Sequence, residues 1–161
     1  MTDTPTRDDA VRTVAAMIED IPVAMLTTTG MGRLRSRPMA TQRTAFDGEL
    51  WFLTERGAGK TGEIRDRQAV HVTFVSPADS RYVWVSGTAS IVEDATMVKT
   101  LWHPGYLPWL PGGPDDPGVA LINVRVEEAE YWDRSLSRMV RLDTFVQPGT
   151  AFRDVAPGMG I

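Results

Sequence analysis

Two stretches hold the residues best suited to chemistry: the glycine-flanked lysine of FLTERGAGKTGEI (52–64) and the arginines of RLRSRPM (33–39). Gly57 and Gly59 allow backbone N–H groups to come close to an anion. A helix beginning near Lys60 would aim its positive end at the same spot. Lys60, one of only two lysines in the chain, adds a full charge, and Thr54 adds a hydroxyl at the end of a strand-like run. Arg33, Arg35 and Arg37 alternate, so a regular strand puts them on one face. The arginine fork suits phosphate oxygens. Phosphate binding is the chemistry implied. Two plainer readings stand beside it, a capped surface helix with a solvated lysine and a solvated basic rim.

The turn is not a nucleotide P-loop. Gly59-Lys60-Thr61 matches the end of G-x-x-x-x-G-K-[ST], but the first glycine of that pattern falls on Thr54. Other machinery is sparse. There is no G-x-S-x-G elbow and no H-E-x-x-H pair. His71 reads as a mid-strand structural residue and His103 as a surface one, and without thiols they make a poor metal site. Asp115-Asp116 and Glu127-Glu128 read as solvated turn and strand-edge residues.

The elements that must position these groups are mostly strands. Residues 6–19 have the spacing of an amphipathic helix capped by Thr6 with Asp9 three residues on. Strands are predicted at 23–29, 33–46, 49–54, 69–76, 82–93 and 119–133, with short helices at 60–67 and 95–102. Pro38 marks an edge or a bulge. Asp47-Gly48 predicts a hairpin joining the second and third strands, which would set residues 41–42 opposite Thr54. Five prolines exclude a helix or central strand from 103–118. Residues 135–146 are expected to be helical, and the closing APGMGI to fray. Alternating βαβ units are missing, so about six hairpin-connected strands predict a small antiparallel barrel with flanking helices.

At 161 residues the chain has the size of one domain, taken here as 1–161 with a helix at 6–19, a barrel at 22–133 and a tail at 134–161. A net charge of −4 gives no nucleic-acid footprint. No apolar run approaches the roughly 20 residues that span a bilayer, and the polar, acidic start is unlike a signal peptide. The absence of cysteine suits a reducing cytoplasm, the expected location.

Taken in order, VAMLTTTGMGRLRSRPM, ELWFLTERGAGKTGEIRDRQAVHVTFV, YVWVSGTASIVED and WLPGGPDDPGVALINVRVEEAEYWD resemble the split-barrel flavin-binding proteins related to pyridoxamine 5'-phosphate oxidase. The general stress protein branch is the nearest in pattern, and the resemblance runs over roughly residues 10–133. It implies a mainly β fold with flanking α, a six-stranded antiparallel split barrel, and a homodimer with FMN at the interface. Carried onto this chain, Arg37, Thr54 and Lys60 hold the FMN phosphate, and Gly59 gives backbone access. Pro38 and Met39 lie along the ring, Leu53 packs near the phosphate strand, and Trp132 either closes the ring pocket, from this subunit or the other, or packs in the core. The oxidases proper have an arginine-histidine substrate motif. Here no histidine follows Arg138 and Arg141, and Gln42 stands where they have a basic residue, which argues against vitamin B6 oxidation. The functional expectation is an FMN oxidoreductase of unknown substrate, using NAD(P)H or another reductant. The alternatives are a non-catalytic flavin-binding stress or storage protein, and a relative that binds a deazaflavin or haem.

Overall fold

The structure, a computed structural model, describes residues 4–146. The expectation for APGMGI lies outside them. Helix α1 (Arg7–Ile18) starts at a reciprocal cap: the Thr6 hydroxyl accepts from the Asp9 amide (3.2 Å) and the Asp9 carboxylate accepts from the Thr6 amide (2.9 Å). Its Ala10 and Val14 are buried against the sheet. Strands β1 (Val23–Gly30) and β2 (Arg33–Ala40) pair along their full length, Val23 opposite Ala40 and Gly30 opposite Arg33. Met31 and Gly32 turn between them, both with positive φ (53° and 72°), as a tight two-residue hairpin needs.

Next come β3 (Glu49–Glu55), α2 (Gly59–Asp66), β4 (Ala69–Ser76), β5 (Arg81–Val92), α3 (Ala95–Leu101), β6 (Val119–Asp133) and β7 (Arg138–Leu142). The strands form one antiparallel sheet in the order β2-β1-β4-β5-β6-β3, with β7 also on β6. Inner-face residues such as Leu26, Phe52, Val72, Phe74, Val85 and Val124 make the main core. A second cluster, including Val98, Leu110 and Leu121, lies under α3 and the proline loop.

Two expectations about the chain path are corrected. The predicted β2–β3 hairpin does not form: β2 ends at Ala40 and pairs with β1, while β3 pairs with β6. Asp47-Gly48 is instead a local turn into β3, in which the Asp47 carboxylate accepts from the Glu49 amide. The ends of the sheet still approach each other. The Gln42 side chain accepts from the Trp51 amide (2.7 Å), a link in place of a ladder. The second correction concerns the tail, where Arg138–Leu142 is a seventh strand and not a helix. Asp133 accepts from the Ser135 and Leu136 amides, which turns the chain back onto the free side of β6. The proline loop also folds inward more than its composition suggests. Tyr106 and Leu110 are buried, the Tyr106 hydroxyl donates to the Thr41 carbonyl (3.0 Å), and Trp102 meets Tyr106 edge-on. Of its large side chains Leu107 and Trp109 remain exposed.

Candidate anion-binding site

Arg37 sits opposite Leu26 on β2, so its side chain shares the inner face with Thr28 and Met39. It donates to the Thr28 hydroxyl (2.6 Å) and to the Glu63 carboxylate (2.9 Å). Thr28 in turn donates to the same carboxylate (2.5 Å). This triangle fastens β1, β2 and α2 together. α2 also passes close to Gly30, where a Cβ would lie 2.9 Å from the Glu63 side chain. The Thr28 hydroxyl, followed by Arg37, holds the Glu63 carboxyl below the ordinary carboxylate range. Arg37 keeps donors to spare, since a guanidinium carries five N–H groups.

Lys60, in the first turn of α2, is half-buried. Burial lowers its pKa, and the positive charge of Arg37 lowers it further against the opposing pull of Glu55. Among the described residues Lys60 has no ion pair with a carboxylate within 4.0 Å. The two positive charges repel each other, and an anion held between them would offset that. The turn between them is open. Gly57, Gly59 and Gly62 have no positive φ, and a Cβ on any of them would meet nothing within 4 Å. Neither backbone strain nor internal packing asks for glycine there, whereas a close-lying ligand would. Ala58, at the cap of α2, offers no side-chain acceptor to the helix amides. The donor set therefore fits a phosphate.

The other predicted residues take distinct positions. Thr54 is the penultimate residue of β3, opposite Ala120, with its side chain buried on the inner side and its hydroxyl 3.5 Å from the Glu55 carbonyl. Leu53 faces the other way, into the cluster under α3. Met39 is buried in the main core, so only its backbone is open to a ligand, and Pro38 is exposed beside it on the edge strand. Trp132 pairs with Met139 of β7, twelve residues along β6 from Ala120. Gln42 is committed to the Trp51 amide and the Thr44 carbonyl. His71 stacks on Trp84, and His103 accepts from the Gly105 amide.

Glu63 and Thr28 were not singled out in the sequence. Their signals are faint: Glu63 lies one helical turn beyond Lys60, and Thr28 occupies an inward position in the alternation of β1. A cleft of about 700 Å³ between the end of α1 and residues 41–46 contains none of the cradle residues. The outward face of the sheet is mixed. Val23, Met25, Val75, Tyr82 and Met139 are exposed there, beside a partly buried Trp84 that donates to Glu130 and a Glu128 that accepts from Ser86 and Arg141.

A family model described as "Pyridoxamine 5'-phosphate oxidase like" matches residues 9–148. Protein bli-3 of Neurospora crassa is 30% identical over 135 residues, covering 77% of this chain; the chain spans 65% of that relative. Among solved structures, General Stress Protein 26 from Bacillus anthracis superposes with a TM-score of 0.70 at 27% identity, over 83% of this chain and 98% of that one. The general stress FMN/FAD binding protein of Xanthomonas citri gives 0.67 at 25% identity, over 78% and 89%. The antiparallel sheet with flanking helices is a split barrel of their kind.

Proposed function

This chain belongs to the pyridoxamine 5'-phosphate oxidase-like family, and from that premise we propose that it binds FMN and serves as a flavin oxidoreductase. The observation that carries this reading is the pairing of Arg37 with the half-buried Lys60 beside three unobstructed glycines. In it, Arg37, Lys60 and the Gly59 backbone hold the phosphate, and Thr54 lines the end of β3. Thr28 and Glu63 keep the guanidinium aimed. The free edge of β2 at Pro38 and Met39 offers backbone groups to the ring. Bound flavin would supply the redox chemistry, with a reductant such as NAD(P)H and a small-molecule acceptor. The commitment of Gln42 to β3, and the absence of a histidine after Arg138 and Arg141, speak against vitamin B6 as substrate.

The proposal includes a homodimer. The cradle lies at the surface, and the exposed Val23, Met25, Val75 and Tyr82 of the outer sheet face need a cover. A second copy set on that face also provides the route by which Trp132 reaches a ring bound near Pro38. A cytoplasmic setting suits a chain without cysteine, and no helix among the described residues is long and apolar enough to cross a membrane. The test is direct. The purified full chain is titrated with FMN and with riboflavin, following flavin fluorescence and absorbance. Saturable FMN binding that Lys60→Ala weakens supports the reading. A colourless protein that ignores added FMN refutes it.

A further inference from the structure

The cradle already holds an anion of its own. Glu63 Oε2 accepts from Arg37 Nη2 at 2.9 Å, and the Thr28 hydroxyl joins Arg37 Nη1 to the same oxygen. The side chains of Arg37 and Glu63 are only 21% and 16% exposed, so water and salt screen their charges weakly. Arg35 comes within 3.7 Å of the other Glu63 oxygen, too long for a hydrogen bond, and its own charge is largely solvated. Lys60 is attracted by Glu55, which forms no ion pair with it within 4.0 Å. Each cation of the cradle is thus set against a carboxylate, and of the two carboxylates Glu63 is the one in hydrogen-bond contact.

These bonds leave one edge of the guanidinium for a ligand. Among the described residues Arg37 Nε has no acceptor, and Nη2 makes one of the two bonds it can make. A phosphate oxygen on the second Nη2 hydrogen would lie roughly 5 Å from Glu63 Oε2, given two bonds of ordinary length at about 120°. Negative charges that close repel appreciably. Tying α2 to the β1–β2 hairpin does not by itself require that charge, because a neutral amide oxygen also accepts from Arg37 and Thr28. We propose that Glu63 is an internal counter-anion that holds down the affinity of the cradle for phosphate, so that the flavin is an exchangeable ligand and not a permanently held group. This rests on the reading of the cradle as a flavin phosphate site and adds how firmly that site holds its ligand. Without ligand, Glu63 compensates a guanidinium that would otherwise sit unpaired and partly buried. With ligand, it repels the phosphate, and FMN is drawn from solution and returned to it.

Glu63→Gln keeps the acceptor and removes the charge. Dissociation constants for FMN and riboflavin are measured by flavin fluorescence on the wild type, Glu63→Gln and Lys60→Ala, with thermal melts of each protein with and without FMN. Glu63→Gln is expected to bind FMN about tenfold more tightly, while riboflavin changes by less than about twofold. Its melting temperature should fall without ligand, and FMN should raise it by more than in the wild type. Gel filtration of the FMN-loaded proteins should strip flavin from the wild type sooner than from the variant. Should Glu63→Gln misfold, Glu63→Met, uncharged and of similar size, replaces it with the same expectation. FMN binding that Glu63→Gln leaves unchanged or weakens overturns the counter-anion, as does a wild type that keeps its FMN through gel filtration. If FMN binding still depends on Lys60 in that case, the cradle reading stands and the counter-anion alone is removed. Failure of the wild type to bind any flavin removes both.

Discussion

Lys60 is the residue on which an anion acts most directly. Its pKa is lowered by burial first and by Arg37 second, so the charged form is disfavoured in the free protein. The sign follows from linkage. With the folded value below the unfolded one, charged Lys60 costs stability at neutral pH, and that cost fades as pH rises through the lowered value. A bound phosphate reverses the shift, and binding takes up a proton on the alkaline side. FMN affinity is therefore expected to fall with rising pH before the ordinary lysine value near 10.4 is reached, while riboflavin affinity stays level. Parallel curves for the two ligands would remove Lys60 from the phosphate. At neutral pH, Lys60→Ala should weaken FMN binding by about 1.5–3 kcal/mol, roughly 10- to 150-fold, the range of a charge-assisted contact. Titration of FMN against both proteins measures it, with riboflavin as the control that should not move.

At the scale of elements, the longest ladder is β5 on β6, and it carries a bulge at Ser86/Gly87. Gly87 is there because the strands approach too closely for a side chain: a Cβ would overlap the backbone carbonyl of Arg125. A bulge adds local twist to a strand and helps a sheet curl, so this glycine serves the closure that brings β2 and β3 near one another. Gly87→Ala should destabilise the protein by about 2–3 kcal/mol through overpacking. Urea unfolding would show the shift in midpoint, and an unchanged midpoint would mean that the ladder slides to accept the methyl group. The same register had no reading in sequence, where Gly87 is one small residue in an alternating strand. By contrast the cap of α1 was legible, because Thr6 and Asp9 act on each other within four residues.

At the scale of the molecule, the proposed homodimer rests on the outer sheet face. Met25, 41% exposed in the middle of β1, lies between Pro38 on one side and Thr73 on the other. If a second copy covers this face, Met25→Glu buries a charge against apolar neighbours and should shift the protein towards monomer. Sedimentation velocity is expected to give about twice the 17.8 kDa chain mass for the wild type, with the variant near the chain mass and weaker in FMN binding. A wild type sedimenting as a single chain would remove the homodimer from the proposal. In the proline loop Tyr106 and Leu110 fold inward, while Leu107 and Trp109 stay exposed beside the sheet.

The sequence alone determined six of the seven strands among the described residues, the helix cap and the glycine turn, because alternation, capping and turn chemistry act over a few residues. It could not decide which strands pair. Asp47-Gly48 has the local form of a hairpin, but β3 gains more by placing Leu50 and Phe52 in the common core against β6. Nor could it find the Thr28–Arg37–Glu63 triangle, whose members are up to 35 residues apart and meet only when α2 packs on the β1–β2 hairpin. Short-range chemistry chose the side chains, and long-range packing chose their neighbours.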